Sequence, residues 1–188
     1  MLRHVRSLSH DNTDVAEYGR YIEDDPYADN VVEWLNEVSD RHGLLEDSDD
    51  DNLQRNKALR FCLRFVQSID YHPDRGGEYP RYPSEMVMDG WGDCEDSAIL
   101  LALLVRMLDY DCAFLRFHED GFLGIGAFGH VDLGIAPSFP GEFSGTFWTG
   151  DDGAKYFFAH CNGYGFDIGD EPRSKYRRAG VYPVQVSV

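Results

Sequence analysis

The chain has 188 residues, enough for one core of ordinary size, and its 43% hydrophobic and 14% aromatic content excludes a disordered acidic chain. Its net charge of −17 comes from 23 Asp and 11 Glu against 14 Arg and 3 Lys. Such a surface repels nucleic acid and anionic membranes, and neither is expected as a partner.

Asp excess with Lys scarcity is the surface expected of a protein kept soluble in concentrated salt, which points to a halophilic host. No run of about 18 apolar residues occurs, and the start MLRHVRSLSHDNTD lacks the apolar centre of a signal peptide, so a cytoplasmic protein is expected. Cys62, Cys94, Cys112 and Cys161 are widely spread without a CxxC pair. They read as free thiols, and neither a structural metal nor a cofactor is expected.

In chain order, DPYADNVVEWLNEVSDRHG (25–43) places Val31, Val32, Trp34, Leu35 and Val38 on one helix face, with Gly43 as a stop. The following LLEDSDDDN resembles the opening of a calcium loop at Asp47, Asp49 and Asp51. The sixth loop position is Asn52 in place of Gly and the twelfth is Ala58 in place of Glu, so the stretch reads as a linker and helix cap. A second helix is predicted over 51–69, with Leu59, Cys62, Leu63, Phe65 and Val66 at helical spacing. Residues 70–92, with three Pro, four Gly and three Tyr, read as an extended loop rich in turns. The stretch from 94 to about 108 is apolar nearly all round and predicts a buried central helix.

After Asp109 come DCAFLRFH, HVDLGIA, GTFWTG, KYFFAHC and VYPVQV, short aromatic or β-branched runs that predict antiparallel strands. Helices first and strands afterwards give an α+β fold, with the central helix packed on the sheet.

GWGDCED (90–96) sets a cysteine where a polar turn gives way to that oily helix. Asp93 is suited to cap it, with Asp96 as the return half of a capping box. Cys94 then lies at the positive end of the helix dipole, which lowers a thiol's pKa, while Asp93, Glu95 and Asp96 oppose this if they point at it. A histidine partner is needed to tip the balance. His4, His10 and His42 fall in polar segments and are expected to be exposed, and His72 lies in the long loop. His130 opens a strand directly after the glycine-rich FLGIGAFG, and His160 closes another.

YPSEMVMDGWGDCEDSAILLALLVRMLDYD, then FGHVDLGIAP, then KYFFAHCNGYGFDIGDEP together resemble the transglutaminase-like cysteine peptidase superfamily, and its archaeal and bacterial members most. The family pattern is YP-x-E-T-L-x-x-G-x-G-D-C-E-D before the apolar helix, a G-H-[MV]-[AL] strand, then YYxxETT and GW-x-I-G-E-I-P. The resemblance spans roughly 55–172 of a single expected domain over 1–188, with 1–50 as an N-terminal helical extension. It implies a papain-like α+β core in which Cys94 is the nucleophile and His130 its general base, forming a thioester with a peptide or protein substrate.

The family's third residue, a glutamate, falls on His160, and its two threonines fall on Cys161 and Asn162. Strand geometry offers two substitutes: Asn162, two residues beyond His160, is the first, and Asp132, two beyond His130, is the second. His160 itself is a further candidate, and Asp167 a weaker one. The expected activity is thiol-dependent acyl transfer, by a peptidase or amidase or by a transglutaminase-like acyltransferase. The alternative is a degenerate module of the same fold that binds a peptide or protein partner without turnover. A metal site built from Cys94, His130 and His160 is a third, minor reading.

Overall fold

A computed structural model describes residues 1–44, 50–75, 77–118, 129–170 and 179–186. The fold is α+β, with helices laid on one face of a five-stranded antiparallel sheet. Two short helices, α1 (Leu2–Val5) and α2 (Arg20–Glu23), precede α3 (Ala28–His42). The latter ends on Gly43 in the left-handed region at φ 59°, where a side chain would be strained. α4 (Asp51–Gln67) starts on the Asp50 carboxylate, which accepts from the N–H groups of Asn52 and Leu53 at 3.0 and 3.2 Å. Asp51 thus belongs to a helix's first turn, while Asp47 and Asp49 of the loop-like acidic run lie outside the described residues.

The stretch 70–92 departs from the extended loop predicted for it. It contains α5 (Pro83–Asp89), framed by two residue pairs, β1 (Asp70–Tyr71) and β2 (Trp91–Gly92), which run parallel. Pro83 takes the first helical turn, where its fixed φ suits the helix and its missing N–H costs nothing, and Gly90 closes the helix at φ 71°. The Pro and Gly that suggested a loop are here a helix's start and stop.

α6 (Cys94–Met107) is the axis of the fold, with every residue from Cys94 to Val105 buried. The sheet runs in the order β5 (Phe147–Thr149), β6 (Lys155–Ala159), β4 (Gly129–Ile135), β3 (Cys112–His118), β7 (Ala179–Pro183). β7 begins two residues earlier than the VYPVQV run, and Val184 and Val186 are buried beyond its end.

Period-two alternation separates the two faces. Val131, Leu133 and Ile135 of β4 join Phe157, Ala159 and Cys161 in the core cluster built on α6. Residues from the segment before α3, including Val15, Tyr18 and Ile22, share that cluster. The other face carries Leu115, Phe117 and Phe158, with Trp148 beside them. None of the described helices is long and apolar enough to cross a membrane.

Gly134 marks the tightest packing on that second face. A Cβ there would stand 2.7 Å from Tyr156 Cβ and 3.2 Å from Leu115 Cδ1, both held by the sheet. Gly134→Ala is therefore expected to lower stability by about 1–3 kcal/mol in urea unfolding, and an unchanged midpoint would show that β4 and β6 can separate to admit a methyl.

Candidate active site

Cys94 is the first residue of α6 and 8% exposed. Asp96 Oδ2 accepts from the Asp93 N–H at 3.1 Å, closing the return half of the capping box. The Cys94 thiol meets the sheet at the Val131 backbone N–H, and it donates to Glu95 Oε2 at 3.2 Å. Burial, followed by Glu95, pushes the thiol far above its usual range. The lowering that a helix start gives a thiol is thus outweighed, and Cys94 rests protonated.

Glu95 is itself pushed up to about 10, first by burial, then by a hydrogen bond with Glu78 and the charges of Asp93 and Asp96. Asp93 is raised to about 7, by burial and then by Asp96. Crowded carboxyls out of water hold protons in preference to charge. Among the described residues their one buried cation is Arg81, 5% exposed, which bonds Asp96 Oδ2 at 2.6 Å and Asp74 Oδ1 at 3.1 Å and lies 4.0 Å over the Trp91 ring. Outside this cluster a cleft of about 600 Å³ opens, lined among others by His72, Asp74, Glu78, Arg81 and Trp91. It places open space two residues of chain from Asp93 and three from Cys94.

The sign of the Glu95 shift gives a pH dependence. The native chain keeps a proton that the unfolded chain releases above about 4.5, so stability falls as pH rises from there towards about 10. Above about 7 Asp93 no longer contributes, while Glu95 still adds a slope of up to about 1.4 kcal/mol per pH unit. Glu95→Gln is expected to flatten the fall in melting temperature across that alkaline window. A wild-type slope retained in the variant would place the proton elsewhere.

On β4, His130 Nε2 lies 2.8 Å from Asp132 Oδ2, and Asp132 is 0% exposed. The same carboxylate receives His160 Nδ1 at 3.0 Å and the Cys161 N–H at 2.8 Å. Burial alone would raise Asp132, but the hydrogen bonds and charges of His130 and His160 outweigh it and hold the carboxyl below its usual value. Phe117 stacks on His130 and Phe158 on His160, Phe166 meets His160 edge-on at 4.8 Å, and Gln67 Nε2 donates to the His160 carbonyl at 2.8 Å.

The remaining residues singled out in the sequence are placed as follows. Asn162 is not on His130: its Oδ1 accepts from the Ser97 hydroxyl at 3.0 Å, tying the turn after β6 to α6. Asp167 pairs with Arg60. His10, expected to be exposed, is packed instead: it stacks on Tyr79 at 4.1 Å, bonds the Pro80 carbonyl at 2.8 Å and lies 3.7 Å from Glu85. Tyrosines at 21, 79 and 82 build that niche, which a segment-by-segment polarity reading does not reveal.

The sequence left open whether Glu95 meets the thiol, which it does, and the role of Arg81 was not anticipated. The signal for Arg81 was a lone basic residue in RYPSE, followed closely by GWGDCED. Two clusters among the described residues bring potential metal-ligand atoms within 4.8 Å of one another: His130, Asp132 and His160, and Asp74, Asp93 and Glu95.

No family model matches the chain. No curated protein matches it either. Among solved structures, a candidate cysteine protease from Cytophaga hutchinsonii superposes with a TM-score of 0.44 at 13% identity, covering 84% of this chain and 44% of that one. This chain spans less than half the length of that protein.

Proposed function

We propose that the protein is a thiol-dependent acyl-transfer enzyme of transglutaminase-like, papain-like design, in which Cys94 attacks a peptide or amide carbonyl. The observation that carries this reading is the join between α6 and β4. Cys94 Sγ lies against the backbone N–H of Val131, the residue after His130, and His130 is itself oriented by a fully buried carboxylate at 2.8 Å. With Nε2–H donated to Asp132, Nδ1 is the ring atom left as the base, and taking the thiol proton requires the imidazole, which stacks on Phe117 on the face away from α6, to turn towards Cys94. Asp132 fixes that tautomer and stabilises the cation that forms.

Because the resting thiol is protonated, deprotonation accompanies attack, with His130 as general base. Sγ then forms the new bond to carbon, and the displaced amine takes the proton from His130. The thioester passes to water or to a second amine. The Cys94 N–H, at the first position of α6, is the donor this reading assigns to the developing oxyanion.

Iodoacetamide labelling in high salt, followed by intact mass and peptide mapping, tests this. A single fast adduct on Cys94 is expected, absent in Cys94→Ala. Labelling of Cys94 no faster than of Cys62 or Cys112 would remove the enzyme reading. That outcome would leave the second reading, a binding module without turnover, which the burial of the thiol and its bond to Glu95 favour.

A further inference from the structure

We propose that His130, Asp132 and His160 form a binding site for a divalent transition-metal ion of the zinc or cobalt class. The site stands on its own geometry, and only its effect on turnover rests on the acyl-transfer reading above. Two imidazoles and one carboxylate are the donor set that suits such ions, and it leaves coordination positions open. Ligand atoms bound at about 2.0–2.1 Å to one metal lie about 3 Å from one another. Here the Asp132 oxygens lie 2.8 Å from His130 Nε2 and 3.0 Å from His160 Nδ1.

Outer contacts hold the ligand side chains in place. Cys161 N–H holds Asp132 Oδ1, Gln67 holds the His160 carbonyl, and the stacked Phe117 and Phe158 rings fix both imidazole planes. The histidine side chains are 14% and 16% exposed, so an ion can enter from solvent while the carboxylate stays buried.

Occupancy has a direct consequence for His130. A neutral imidazole that gives its Nε2 lone pair to a metal carries its proton on Nδ1, the nitrogen assigned above as the base. The same three residues therefore hold His130 ready when empty and silence it when filled, and the metal acts as an inhibitor.

Zinc titration by calorimetry, and cobalt titration by visible absorption, test the site on the full chain in chelator-free buffer. One equivalent is expected to bind, at least about tenfold more weakly in His160→Ala and in His160→Gln, and unchanged in Cys94→Ala. Two His160 variants guard against one that fails to fold. No saturable uptake by the wild type, uptake undiminished in both His160 variants, or uptake lost in Cys94→Ala overturns the site. Bound zinc is further expected to slow labelling of Cys94 in the wild type and not in His160→Ala; undiminished labelling with zinc bound overturns the silencing. A Cys94 that is unreactive before any metal is added counts against the acyl-transfer reading alone, because metal uptake still decides the site.

Discussion

His130→Ala is expected to slow acylation and alkylation of Cys94 by about 10²–10⁴-fold, the range over which a positioned general base acts. The reason lies in the thiol's surroundings. Burial and Glu95 keep Sγ protonated, so unlike a thiol already ionised by a helix dipole it depends on a base at the moment of attack. Asp132→Asn should act in the same direction. An amide has one oxygen for two sites: with that oxygen kept on the Cys161 N–H, its NH2 faces His130 and His160 where each has an acceptor in the wild type, which favours the wrong tautomer. Asn162→Ala should leave the rate near that of the wild type, since Asn162 spends its oxygen on Ser97. Stopped-flow labelling of the three variants at equal salt decides the assignment. A loss in Asn162→Ala as large as that in Asp132→Asn would move the orienting role to the amide, and a wild-type rate in His130→Ala would end the base assignment.

The helices and strands were largely legible because their signals are local. Nine consecutive apolar or small residues after GWGDCED predict a buried helix, and α6 is buried from Cys94 to Val105. The alternation HVDLGI likewise showed that His130 and Asp132 share a face, which the separation of Val131, Leu133 and Ile135 into the core on α6 makes concrete. What alternation does not carry is what a neighbouring strand brings to that face. Asn162 keeps strand parity with His160, but the strand ends at Ala159, and the bend that follows turns the amide towards α6. Parity fails where pairing ends. The balance of charge at Cys94 was illegible for a related reason. Three carboxylates were visible beside the cysteine, but whether they aim at the thiol or at the helix N–H groups depends on Arg81, which comes from a stretch read as a loop. The structure divides them: Asp96 caps and pairs with Arg81, while Glu95 turns to the thiol.

That dependence makes Arg81 the residue whose loss should cost most in stability, about 3–5 kcal/mol for Arg81→Met in urea unfolding at fixed salt. The guanidinium is buried, and two carboxylates lean on it: Asp96 at 2.6 Å and Asp74 at 3.1 Å. A methionine fills the space over Trp91 but leaves Asp96 with only the N–H groups of Asp93 and Arg81 itself, at 3.1 and 2.7 Å, beside Asp93 and Glu95. The sign of the pH effect follows. Burial already raises the Asp96 carboxyl above its usual value, against the pull of Arg81; without the cation it rises further, so the native state takes up a proton that the unfolded chain releases and the deficit shrinks as pH falls. Arg81→Lys should recover part of the loss, since it restores the charge but not the fork that reaches both acids. A penalty below about 1 kcal/mol, or one equal in acid and alkali, would show that the acids are already neutral and that Arg81 only fills space. The same variant connects stability to chemistry. Asp96 is both the partner of Arg81 and the acceptor of the Asp93 N–H, so releasing it loosens the turn that sets Cys94 against Val131. Labelling of Cys94 should therefore lose its dependence on His130 in Arg81→Met even where the chain remains folded.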